Sequence, residues 1–204
     1  MLVSVWTDGM DRREFLEAIG GVSALIPGLS LLPGVGALAE AVHAQAQTPG
    51  KLRTLNPSQD ATVTRIGEIL LPETDTVGAT GVGVNRFIDV LLTESMPEAQ
   101  RDRFLEGLAA INARSQSLHG APFTSIGRKQ QESLVRELDA RLPAHDPAPP
   151  GGAAARATLP VTAEGGFASL KSLVLFAYFT SEPVAKELIN APIIPGKYDG
   201  CVPL

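Results

Sequence analysis

Few residues in this chain have the types and spacing for chemistry. Downstream of residue 46 the histidines are His119 and His145. The first falls at the end of a predicted helix, the second in a Pro/Ala/Gly-rich stretch. Neither has a His, Cys, Asp or Glu at ligand spacing on a helix, so both read as exposed or capping groups rather than metal ligands. Glu73 and Asp75 are carboxylates two apart, but Thr74 and Thr76 around them make backbone capping in a loop a simpler role than acid–base work. Gly78-x-x-Gly81-x-Gly83 has the glycine content of a phosphate-cradling loop without the preceding strand that such a loop needs. Ser169, Ser172 and Ser181 have no G-x-S-x-G context. The reading is of a chain with no catalytic, cofactor-binding or metal-ligating centre of its own.

One cysteine, Cys201, stands near the C-terminus. A single cysteine makes no intrachain disulfide and holds no iron–sulfur cluster by itself. A c-type haem would need C-x-x-C-H, which is absent. The 204 residues carry 17 Lys+Arg and 22 Asp+Glu. Without residues 1–46, which hold two of the basic and five of the acidic residues, the net charge is −2. No basic stripe suggests nucleic acid as a partner.

The most informative stretch is N-terminal. Arg12-Arg13-Glu14-Phe15-Leu16 precedes an uncharged run from Ala18 to Ala39, and Ala44-Gln45-Ala46 offers a small-x-small exit. A charged region, an apolar region and a small-residue exit in that order read as an export signal over 1–46, and the arginine pair points to the twin-arginine route. Asp11 and Glu17 stand where such signals usually have Ser/Thr and Lys, and Met10 is an alternative start. An amphipathic N-terminal helix is the plainer alternative, but this run has no charged face and many Gly/Pro breaks. The run is long enough to span a bilayer, and the Pro/Gly breaks favour cleavage over a permanent anchor.

The remaining residues, 47–204, read as one all-α domain. Leu55-Asn56-Pro57-Ser58-Gln59 starts a helix by several rules at once: Asn56 at N-cap, Pro57 at N1 and Gln59 at the capping-box position. Val63, Ile66, Ile69 and Leu70 form its apolar stripe, and Pro72 stops it. Further helices are predicted over Val84 to Ser95, from Pro97 to about Leu118 with Gly120 as the stop, and over Arg128 to Leu142. Residues 143–166 read as a long Pro/Ala/Gly-rich excursion. Phe167 to Phe179 is apolar on nearly all sides, as a central helix should be. Ser181 caps a short sixth helix to about Leu188, and 191–204 reads as an extended tail.

Taken together, Arg12-Arg13-Glu14-Phe15-Leu16, Leu71-Pro72-Glu73-Thr74-Asp75-Thr76, Gly78-Ala79, Phe87-Ile88-Asp89, Phe179-Thr180-Ser181-Glu182 and Pro195-Gly196-x-Tyr198-x-Gly200-Cys201 resemble the gluconate 2-dehydrogenase subunit 3 family. Val77 stands where that family commonly has proline. The resemblance implies a non-catalytic small subunit. FAD would sit on a large dehydrogenase of the glucose–methanol–choline type that oxidises a sugar, sugar acid or alcohol. A multihaem cytochrome c, where present, would carry electrons to the membrane. The small subunit would bring its partner through the twin-arginine translocon to the periplasm. In that setting Cys201 is a candidate for an interchain disulfide, against a free or buried thiol. Tyr178, Phe179, Ile193, Ile194 and Tyr198 are candidate interface anchors, with the domain's own core as the alternative for Tyr178 and Phe179. A stand-alone exported enzyme or ligand-binding helical domain is the competing reading.

Overall fold

The computed structural model describes residues 35–47, 50–142 and 160–186. Among them are seven α-helices and no strand: α1 Val35–Ala46, α2 Pro57–Leu70, α3 Val84–Glu94, α4 Glu98–His119, α5 Arg128–Ala140, α6 Ala163–Phe179 and the single turn α7 Glu182–Val184. A 3-10 turn, Phe123–Ser125, joins α4 to α5. The all-α expectation holds.

The start of α2 follows from its sequence. The Asn56 side chain accepts from the backbone N–H of Ser58 (3.0 Å) and Gln59 (2.9 Å), while Gln59 Oε1 accepts from the Asn56 N–H (2.9 Å). These bonds occupy donors that a helix N-terminus otherwise leaves unpaired, and Pro57 has no N–H to lose at its position. Leu55 is buried just ahead of the cap. After Leu71 the chain folds back on itself, with the Ala79 N–H donating to the Leu71 carbonyl (2.9 Å). Gly83, at φ +71°, turns the chain into α3 through a left-handed conformation that glycine adopts at no steric cost.

Helix α6 is the hub. It packs most extensively on α4 and also touches α3, α5 and α2. Phe167, Leu170, Leu173, Val174, Phe176 and Ala177 are buried in its length. Its start departs from expectation: the helix begins at Ala163 inside the stretch read as a loop, because Thr162 caps it, Oγ1 accepting from the Gly165 N–H (3.0 Å). Residues 143–159 of that excursion lie outside the described residues.

Two glycines decide how closely α4 and α6 approach. A Cβ on Gly107 would stand 2.7 Å from the Gly166 Cα, and a Cβ on Gly166 would stand 2.5 Å from the Gly107 carbonyl oxygen. Backbone meets backbone there. At the other end of α4, Gly120 closes the helix at φ +72°. The corner into α5 is then fixed by side chains: Asn112 Oδ1 accepts from the Phe123 N–H (3.0 Å), and Gln131 Nε2 donates to the Phe123 carbonyl (2.9 Å). Lys171 Nζ on α6 pairs with Asp139 on α5 at 2.7 Å. Arg114 on α4 bonds Glu137 on α5, and this guanidinium holds the Glu137 carboxyl below the usual carboxylate range.

The glycine contact yields a test. Alanine normally stabilises a helix interior over glycine by about 1 kcal/mol. At Gly166 we expect Gly166→Ala to destabilise instead, by about 1–3 kcal/mol, because two backbones must separate. Urea unfolding monitored by circular dichroism reads the sign; a stabilised variant would contradict the close approach.

Candidate functional site

A surface read for function begins with α3, where a charged side chain is buried. Asp89 is 3 % exposed. Its Oδ1 accepts from the N–H groups of Thr54 (2.9 Å) and Leu55 (2.8 Å), and its Oδ2 from the N–H of Arg53 (2.9 Å). A buried carboxylate is tolerable when fixed donors replace its water. Here three successive backbone amides do so, and the lead-in to α2 is tied to α3. Thr54 Oγ1 and Thr93 Oγ1 meet at 2.7 Å beside it, and Arg53 pairs with Glu94 at 2.5 Å.

Helix α1 lies along the same α3. Ala39, Val42 and Ala46 face inward, each 9 % exposed or less. The His43 ring stacks on Phe87 at a centroid separation of 4.4 Å, tilted by 45°. His43 Nε2 lies 3.0 Å from the Thr180 hydroxyl at the end of α6. That hydroxyl also donates to the Phe176 carbonyl (2.7 Å), and the imidazole tautomer sets which of the two groups donates in the His43–Thr180 contact. Burial lowers the His43 pKa below its ordinary 6.5, partly offset by a hydrogen bond to the Ala177 backbone.

Where α1 ends, a shallow cleft of about 290 Å³ opens between Gln45, Ala46, Gly50, Lys51, Leu52, Arg53, Arg86, Asp89 and Val90. Its lining brings Lys51, Arg53 and Arg86 together with Asp89. Asp89 is engaged by its three amides, so it has a bracing role rather than that of a general base. Among the described residues no group of three or more His, Cys, Asp or Glu comes together as a metal site. No helix of the described residues is long and apolar enough to cross a membrane.

A family model described as gluconate 2-dehydrogenase subunit 3 matches residues 57–196. The chain belongs to the gluconate 2-dehydrogenase subunit 3 family. A search of curated proteins found no match, and a search of solved structures found none. The family match runs from the first residue of α2 through α6, so it includes Asp89 and Phe87. It begins after α1 and ends before Cys201.

Of the candidate interface anchors, Tyr178 is buried, in keeping with the core alternative left open for it. It is 4 % exposed, and its hydroxyl donates to the Val77 carbonyl (2.7 Å), which ties the 71–83 loop to α6. A side chain so placed belongs to this subunit's own core. Phe179 is half-buried and packs edge-on against the Tyr178 ring at 5.3 Å. Ile193, Ile194, Tyr198 and Cys201, and the signal residues Arg12, Arg13, Phe15 and Leu16, lie outside the described residues. Glu73 and Asp75 are exposed; Asp75 Oδ1 accepts from the Thr74 hydroxyl (3.0 Å), and the Thr76 N–H donates to Thr74 Oγ1 (3.4 Å).

Asp89 and His43 are the residues that pattern reading did not single out. Asp89 had a signal of sorts, a lone acid in the otherwise apolar run Phe87 to Leu92. His43 had none, because it sits in a stretch that reads as export signal.

Two outcomes follow. Asp89→Asn should lower stability by about 1.5–3 kcal/mol, since one charged acceptor becomes a donor facing amides; urea unfolding checks it. For His43, the undocked ring binds a proton near pH 6.5 and the docked ring only at lower pH. The groups it touches, Phe87, Thr180 and the Ala177 carbonyl, are uncharged. Docking of α1 should therefore be at full strength above pH 6.5 and weaken as pH falls towards the depressed value. The protection of the α1 amides, taken relative to intrinsic exchange at each pH, should fall on acidification in the native chain, and His43→Ala should flatten that dependence.

Proposed function

We propose that this chain is the non-catalytic small subunit of an exported FAD-dependent dehydrogenase complex acting on a sugar, sugar acid or alcohol. The observation that carries the reading is the family match over 57–196, whose description makes its members subunits of a dehydrogenase assembly. The Arg12-Arg13-Glu14-Phe15-Leu16 motif ahead of an uncharged run supports export by the twin-arginine route, which carries folded cargo. The chain then acts as escort and brace for a flavoprotein of the glucose–methanol–choline type, which holds the FAD and performs the oxidation. A cytochrome c subunit, in complexes that have one, passes the electrons on. The assembly resides in the periplasm and is held at the membrane through its partners.

The architecture suits a brace. Its buried carboxylate, Asp89, and its half-buried imidazole, His43, are both spent on joining elements of the subunit to one another. Cys201 is proposed to bond the partner flavoprotein, in an oxidising compartment where such bonds persist.

Purification of the tagged chain from its own host tests the reading. The expected result is a co-purifying large polypeptide with a flavin absorbance that the separated small chain lacks. Replacing Arg12 and Arg13 by lysine should leave both polypeptides in the cytoplasm. A flavin spectrum, or turnover of a substrate, retained by the small chain alone would overturn the assignment. On non-reducing electrophoresis of the complex, a band at the summed mass that Cys201→Ser abolishes supports the interchain bond, and separate bands refute it.

A further inference from the structure

Helix α1 occupies the very residues that pattern reading assigns to the end of an export signal. We propose that α1 is retained as a structural element of the working subunit, so that Ala44-Gln45-Ala46 is not a cleavage site and any processing falls N-terminal to Val35. The processing half of this proposal rests on the exported-subunit reading; the docking of α1 does not.

Three observations converge. First, the inward positions of α1, Ala39, Val42 and Ala46, have the i, i+3, i+7 spacing of one helical face and are 3 %, 3 % and 9 % exposed. Second, His43 bridges two other elements, stacking on Phe87 of α3 and hydrogen-bonding the Thr180 hydroxyl at the end of α6. That bond spans 137 positions of sequence, so it forms only when the whole domain is folded. Third, Ala46, the residue after which a small-x-small cut would fall, is itself buried and helical, and it walls the cleft beside Asp89.

A peptidase takes its substrate as an extended chain. To present Ala44-Gln45-Ala46 that way, the last turns of α1 must unwind, and His43 must leave Phe87 and Thr180. The twin-arginine route delivers cargo already folded, so this cost would be met by the finished domain rather than by a nascent chain. Cutting after Ala46 would also strip α3 of its cover and open the Phe87 ring to water. The small-residue signal at 44–46 has another explanation: alanine at 39 and 46 lets α1 lie close on α3.

Two measurements decide the matter. Mass spectrometry of the subunit from the cell envelope of its own host should give an N-terminus at or before Val35. Hydrogen exchange on the same full-length protein should show amides of 39–46 slowed on the order of 100-fold or more relative to an unstructured chain. Val42→Asp should abolish that protection while α4 and α5 keep theirs, which separates undocking from global unfolding. An N-terminus at Gln47, or α1 amides that exchange as fast as free chain, would overturn the proposal. A chain found intact from Met1 or Met10 in the cytoplasm would defeat the export reading instead, and slow exchange in α1 would then still support its structural place.

Discussion

Helix α6 keeps no residue fully exposed from Gly166 to Phe179, and that constraint organises the subunit. Its face at Ala168, Lys171, Ser172 and Leu175 is half-buried, and the rest of it is covered by other elements. Helix α4 covers it along the longest contact, at the distance two glycines permit. Helices α5, α3 and α2 close the other sides, and the 71–83 loop is drawn in through the Tyr178 hydroxyl. A central apolar helix is costly for a small domain, because its neighbours must bury one face each and still keep a polar face outward. Here the neighbours do so with ordinary stripes: Phe104, Leu108 and Ile111 on α4, Leu134, Val135 and Leu138 on α5.

The polar interactions are placed where apolar packing cannot specify direction. A hydrophobic contact tolerates sliding; three amides converging on one carboxylate do not. Asp89 therefore sets the register of the lead-in at 53–55 against α3, and with it where α2 begins. The corner between α4 and α5 is handled likewise, with Asn112 and Gln131 gripping the two backbone groups of Phe123.

How much of this was legible in the sequence follows the range of the interactions. The capping box of α2 lies within four residues, Asn56 to Gln59, and it formed as its pattern indicates. Gly120 ended α4 for the same local reason. The start of α6 was misread because Ala163-Glu164-Gly165-Gly166 has loop composition. Gly166 is there for the sake of Gly107, far away in sequence, and no local rule reports that. Asp89 finds its amides 34 to 36 positions earlier, so its role is invisible until the fold is known. Tyr178 looked equally fit for an interface or a core, since an amphipathic ring serves either; the Val77 carbonyl in reach of its hydroxyl decides for the core.

The family match and the folded unit do not start at the same residue, and the structure gives a physical reason for the difference. The match begins at Pro57, where a capped helix with a strong local pattern begins. The folded unit reaches back to α1, whose contacts depend on small residues and one imidazole. Alanine faces carry little pattern, because an alanine stripe differs little from the small, apolar composition of an export signal. Yet the surface they cover is specific: Phe87 and Asp89 are two positions apart on α3, one stacked by His43 of α1 and the other gripped by residues 53–55. The two contacts support each other through the short connection between Ala46 and Arg53. Once Asp89 fixes 53–55, α1 is tethered to the domain by a short span of sequence, so it loses less entropy on docking than a free helix would. The N-terminal helix is thus held by modest contacts made effective by the tether beside them.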